Sequence, residues 1–159
     1  MLKINRILAL FTICMVLNGC QHLDGPFNKK QIQVLQQQGF TLTDDGWSLG
    51  LTDRITFEFD QAEISTSNQD VIAALAKQLK KYDLSKLKIT GYTDSVGQSV
   101  YNQKLSEKRA QHIADIFIQN GFNANDVNVI GKGPLPPSKN PTEPLNYAEN
   151  RRVTVTIIP

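Results

Sequence analysis

Three polar side chains lie where the apolar pattern of their own segments puts the protein interior. Residues 101–120 read as a helix stopped by Gly121. On a helical wheel with Leu105 at zero, Ile116 falls near roughly 20°, Ile113 near 80° and Phe117 near 120°. Arg109 falls at about 40° and Asn102 at about 60°, inside that apolar arc. Lys104, Glu107, Lys108 and Asp115 fall outside it. In the last segment Val153, Val155 and Ile157 alternate with polar residues, so Arg151 shares their inward face and Arg152 does not. A guanidinium turned inward costs several kcal/mol unless it is paired and hydrogen-bonded. Asp94, just before the 101–120 helix, is the acid placed to meet one. Two readings follow. Asp94 and Arg109 close a structural salt bridge, or the group forms a site for a zwitterion, with the carboxylate facing an ammonium and the guanidiniums facing carboxylates.

Catalysis finds little support in the same residues. His22 and His112 are the only histidines. His112 falls at the edge of the apolar arc. Ser106, on the arc, has no readable His-Asp partners and reads as a helix–sheet contact. No spacing of ligands suggests a metal, and no cofactor motif is present. The expectation is a binding protein, not an enzyme.

The elements that would position these residues can be read from periodicity. Ile55, Phe57 and Phe59 alternate as a strand. Ser67 and Asp70 open a helix whose apolar face is Val71, Ile72, Leu75, Leu79 and Tyr82. Leu87 and Ile89 begin a strand ending at Gly91, a polar loop follows to Gly97, and Val127 and Val129 make another strand. Residues 131–144 hold two Gly and five Pro and read as an irregular loop. The expected fold is α+β: a two-layer sandwich, β-α-β-α-β-β, with a mixed sheet and both long helices on one face. Upstream, Trp47, Leu49 and Leu51 alternate after an Asp44-Asp45-Gly46 turn. Residues 29–38 are Gln-rich with Ile32 and Leu35 three apart, a short helix with a thin apolar face.

The first 20 residues have a different character. Lys3 and Arg6 precede an apolar run from Ile7 to Leu17, too short to span a bilayer comfortably but suited to a signal peptide. The run ends Leu17-Asn18-Gly19-Cys20, which resembles a bacterial lipobox. The resemblance implies cleavage before Cys20, acylation of its thiol, and, with Gln21 following, an outer-membrane anchor facing the periplasm. Cys14 leaves with the leader, so no free thiol remains. The chain carries 17 Lys and Arg against 15 Asp and Glu; losing Lys3 and Arg6 leaves 15 of each sign. That balance argues against nucleic-acid binding. The expected division is a signal peptide at 1–19, a lipid-anchored linker with a possible short helix at 20–46, and the main domain at 47–159.

Three stretches carry a family resemblance: Gly91-Tyr92-Thr93-Asp94, Tyr101-Asn102-Gln103-Lys104-Leu105-Ser106-Glu107-Lys108-Arg109-Ala110, and Asn150-Arg151-Arg152-Val153. They resemble the OmpA-like domain shared by OmpA C-termini, Pal and MotB. All five fixed residues of its N-x-x-L-S-x-x-R-A pattern are present, and Tyr92 stands where many members have His. The resemblance implies non-covalent binding of peptidoglycan through the diaminopimelate of its stem peptide. Asp94 would take the ammonium and Arg109 a carboxylate, with Thr93, Asn102 and Arg151 completing the site. Residues 39–51 further resemble the YfiB group of lipoproteins, which implies a periplasmic repressor of YfiR type as partner and control of a diguanylate cyclase. Leu35 and Trp47 are the candidate partner contacts, with packing as the first residue of a strand the slightly favoured reading of Trp47 over an aromatic anchor for a partner.

Overall fold

The computed structural model describes residues 25–51, 55, 57, 58, 60–135 and 150–159. The leader and Cys20 lie outside them, as do Phe59 and residues 136–149 of the Pro-rich segment.

Helix α1 (Lys29–Gln37) starts at Asn28, whose side chain accepts from the Gln31 amide while the Gln31 side chain accepts from the Asn28 amide. Two short strands follow, β1 (Thr41–Thr43) and β2 (Gly46–Gly50), joined by the Asp44-Asp45 turn. Helix α2 (Thr66–Lys80), strand β3 (Leu87–Thr93), helix α3 (Ser99–Gln119), a 3-10 turn (Ala124–Asp126), β4 (Val127–Pro134) and β5 (Val153–Ile157) complete the order. The sheet runs β1-β2-β5-β3-β4. β3 and β4 are parallel, as a strand–helix–strand crossover through α3 requires, and the other pairs are antiparallel. Leu87, Ile89, Val153, Val155, Ile157 and Leu49 face one way. They form one core with Ile72, Leu75 and Leu79 of α2 and Ile113 and Phe117 of α3. This is the expected mixed α+β sandwich.

Several details differ from the sequence expectations. Ile55, Phe57 and Glu58 belong to no strand. Ile55 and Phe57 are buried as a strand's inner face would be. Their backbone carbonyls have other partners: Phe57 O accepts from Arg151 and Glu58 O from Arg109. The strands at the chain's start are instead β1 and β2. Since α1 buries Val34 and Leu35 and β1 pairs with β2, the folded body begins before residue 47. Helix α2 is capped by Ser65 rather than Ser67: Ser65 Oγ accepts from the Asn68 amide at 3.3 Å. The buried face of α2 is Ile72, Leu75, Ala76 and Leu79, which leaves Val71 beside it and 41% exposed. β4 runs through residues 131–134 because glycine lets it lie against α3. A Cβ on Gly131 would sit 2.7 Å from the Glu107 amide nitrogen. Gly91 of β3 is tighter still, its Cβ position 2.0 Å from Ser106 O. Ser106 is buried between helix and sheet as expected: its hydroxyl donates to Gln103 O and accepts from the Gly133 amide at 2.8 Å.

Candidate functional site

The C-terminal end of β3, the first three turns of α3, the segment just before β5 and the loop before α2 meet at one end of the sheet. Between them lies a cavity of about 240 Å³, lined by Asp60, Thr93, Asp94, Tyr101, Asn102, Leu105, Arg109 and Arg151, with Val96 and Gly97 at its mouth. All five residues expected in the site are brought together there.

Asp94 is 5% exposed. One carboxylate oxygen accepts from the Val96 amide at 3.1 Å, which curls the loop back on itself. The other meets an Arg151 NH1 at 3.2 Å. The structural alternative of an Asp94–Arg109 salt bridge is therefore corrected: Asp94 pairs with Arg151. The reason is geometric. β5 lies beside β3 in the sheet, so Arg151 reaches the end of β3 directly, whereas Arg109 points between α3 and the loop ahead of α2.

Arg109 is fully buried, among the largest buried side chains of the protein. Its guanidinium donates to Gln61 O at 2.8 Å, Glu58 O at 3.2 Å and Tyr92 O at 3.4 Å, and lies 5.0 Å from the centre of the Phe57 ring. Carbonyl dipoles and an aromatic face thus replace the counter-ion. Burial, and next the neighbouring Arg151 charge, lower its pKa to about 10, with Asp94 and Asp60 opposing.

Asn102 sits inside the apolar arc for a local reason. Its amide donates to Val96 O at 2.9 Å and Asp94 O at 3.4 Å, pinning the loop that carries Asp94. Thr93 Oγ1 is buried in the cavity wall with no hydrogen-bond partner. A buried hydroxyl without a partner is uncommon.

Two lining residues escaped the sequence reading. Tyr101 donates its hydroxyl to Asp60 across the cavity mouth, and this hydrogen bond raises the Tyr101 pKa. Asp60 adopts a left-handed backbone, φ 60°, in an irregular loop. No periodicity announces such a residue. The only available signal was Tyr101 next to Asn102, one position off the apolar arc. Leu35 and Trp47 are not part of this site: they pack in the core, Trp47 at the other end of the sheet in β2, and are 0% and 8% exposed.

Residues 56–151 match the OmpA family. The chain is 34% identical over 152 residues to the outer-membrane lipoprotein YfiB of Pseudomonas aeruginosa, covering 94% of this chain and 90% of that protein. The putative lipoprotein YfiB of Escherichia coli is also 34% identical, with 90% of each chain covered. Among solved structures, the peptidoglycan-associated lipoprotein of Burkholderia pseudomallei superposes with a TM-score of 0.56 at 25% identity, over 64% of this chain and 86% of that one. The periplasmic domain of Helicobacter pylori MotB shares the fold, with a TM-score of 0.61 at 23% identity over 73% of this chain and 84% of that one.

Proposed function

We infer from the OmpA family, to which this chain belongs, that its cavity binds peptidoglycan non-covalently through the diaminopimelate of the stem peptide. The chain is then an outer-membrane lipoprotein that ties the membrane to the wall. The observation that carries this reading is the cavity's charge pattern. Asp60 and Asp94 face Arg109 and Arg151, two charges of each sign around an unpartnered Thr93 hydroxyl. Such a site favours a zwitterion over a singly charged group, because either charge alone leaves an uncompensated neighbour in a partly dry pocket. The side-chain end of diaminopimelate carries an ammonium and a carboxylate on one carbon. Asp94 and Thr93 take the ammonium and Arg109 the carboxylate, while Arg151 holds Asp94 in place and Asn102 holds its loop. The groups bind and orient; none is an activated nucleophile, and the proposed activity is recognition without catalysis.

Attachment to the outer membrane rests on the lipobox ending at Cys20 and on the two lipoprotein relatives. The test is co-sedimentation of the mature chain with purified sacculi. Binding is expected to walls with diaminopimelate stems, to weaken with salt, and to be absent with lysine stems, which lack the carboxylate. Equal binding to both walls would refute the assignment.

A second reading, capture of a YfiR-type periplasmic repressor that controls a diguanylate cyclase, is favoured by likeness to YfiB across the N-terminal third as well as the domain. With Leu35 and Trp47 buried, the apolar side chain this face presents to a partner is Leu42, 69% exposed. Retention of the purified repressor by wild type, and its loss with Leu42→Glu, is the expected result.

A further inference from the structure

An apolar groove of about 1130 Å³ opens at the end of the sheet opposite the charged cavity. Its walls are Phe27 and Ile32 at α1, Phe40, Leu42 of β1 and Trp47 of β2, with Pro159 at one side. The two ends are fixed by topology. β5 starts two residues after Arg151 at the cavity and stops two residues before Pro159 at the groove. β3 runs the other way, from Leu87, just after Lys86, whose ammonium donates to Pro159 O at 3.0 Å, to Thr93 at the cavity. About 17 Å of strand separates the poles.

The groove is mostly apolar, with Gln36, Thr41 and Thr43 as uncharged polar lining, and its side-chain charges are Asp44, and Asp45 paired with Lys88 at 3.1 Å. Leu42 stands largely exposed in its wall. An apolar surface of this kind calls for an apolar occupant. The chain itself supplies one. Gly25, at the groove's edge, is five residues from Cys20, at most about 17 Å of extended backbone. A hydrocarbon chain carried on Cys20 is thus tethered beside the groove at an effective concentration that a free partner must exceed to displace it.

We propose that the groove between α1 and the β1–β2 hairpin seats one acyl chain of the lipid on Cys20. The proposal rests on the lipoprotein reading above. The anchor's remaining chains hold the bilayer, so membrane attachment survives the diversion of one. The seated chain draws the groove pole against the membrane. The charged cavity, at the other pole, then faces away from the membrane and toward the wall.

The test uses the lipidated chain in its own membrane. Cells are grown on a palmitate analogue bearing a photoreactive diazirine, irradiated, and the protein is digested for mass spectrometry. The expected product joins the acylated Cys20 peptide to the peptide containing residues 40–47. Products that reach 40–47 only from phospholipid, or join that region to another protein, would show a membrane-facing or partner-facing surface and overturn the proposal. Products confined to neighbours of Cys20 would overturn it as well. A Cys20 peptide with no acyl mass would instead refute the lipoprotein reading, and this proposal with it. A second arm reads the groove directly through Trp47, the only tryptophan. The mature chain with Cys20→Ser, exported behind an ordinary signal peptide, is titrated with a brominated monoacylglycerol, a neutral probe that the rim carboxylates do not repel. Saturable quenching of Trp47 by more than about half is expected, with at least fivefold weaker binding in Leu42→Glu at unchanged melting temperature. Absence of quenching would show that the groove does not accept hydrocarbon.

Discussion

Arg109 and Asp94 are assigned to the same ligand, but the fold uses them differently, and a pair of conservative substitutions separates the two roles. Arg109→Lys keeps the charge and removes the planar fork. Of three guanidinium–carbonyl hydrogen bonds, at 2.8, 3.2 and 3.4 Å, an ammonium can keep about one. A charged hydrogen bond is worth roughly 1.5–3 kcal/mol net. Allowing for the long third bond, the loss is about 2–4 kcal/mol, because the carbonyls of Gln61, Glu58 and Tyr92 are left inside the fold with fewer donors than they have now. For a domain of this size, roughly 4 °C per kcal/mol gives a fall in Tm of about 8–16 °C. Asp94→Asn keeps the acceptor for the Val96 amide and loses the charge facing Arg151. With Arg151 about a fifth exposed, that ion pair contributes on the order of 1 kcal/mol, or about 4 °C. Sacculus binding measured well below either melting point should fall in both variants by tenfold or more, since Asp94→Asn loses the charge that faces the ammonium and Arg109→Lys the planar fork that faces the carboxylate. The signature is similar loss of binding with unequal loss of stability. An Arg109→Lys protein melting within about 2 °C of wild type would refute the clamp. An Asp94→Asn protein that sediments with sacculi like wild type would refute the ligand assignment.

Three further outcomes follow from particular contacts. Gly91→Ala places a methyl group against the Ser106 carbonyl where backbone meets backbone, and should cost about 3 kcal/mol or more in urea unfolding, whereas Gly50→Ala, with open space around its Cβ position, should be near neutral. Tyr101, hydrogen-bonded to Asp60, should titrate above the ordinary phenol range, and Asp60→Asn should bring it back down, as read by phenolate absorbance against Tyr101→Phe. The sign is fixed by the raised folded pKa: this contribution to stability is complete below the ordinary phenol value and is lost as pH rises through the folded one. Cys20→Ser should leave the protein out of the detergent-soluble outer-membrane fraction, and globomycin, which blocks lipoprotein signal cleavage, should make the precursor accumulate; firm fractionation of the variant with the outer membrane would refute the anchor.

The fold class and most of the site were legible in the sequence because both rest on local regularities. Strand alternation placed β3, β4 and β5, and helical periodicity placed α3. The same periodicity exposed Arg109 and Asn102 as polar residues on an apolar arc, and the alternation in β5 singled out Arg151. These are statements about which way a side chain points, which the backbone's own period determines. Which groups then meet is a different matter. Asp94 chose Arg151 over Arg109 because β5 was inserted between β2 and β3, a sheet order that no local pattern records. The alternating 55–59 segment reads as a strand, yet the carbonyls of Phe57 and Glu58 go to two arginines from distant segments. Asp60 entered the cavity through a left-handed turn in an aperiodic loop. The pole-to-pole separation of the charged cavity and the apolar groove likewise appeared only on folding. The sequence by itself determined the inward-facing charges and the elements bearing them; the tertiary structure decided their partners, because hydrogen bonds and ion pairs between distant segments depend on strand order and loop path, and neither has a period to read.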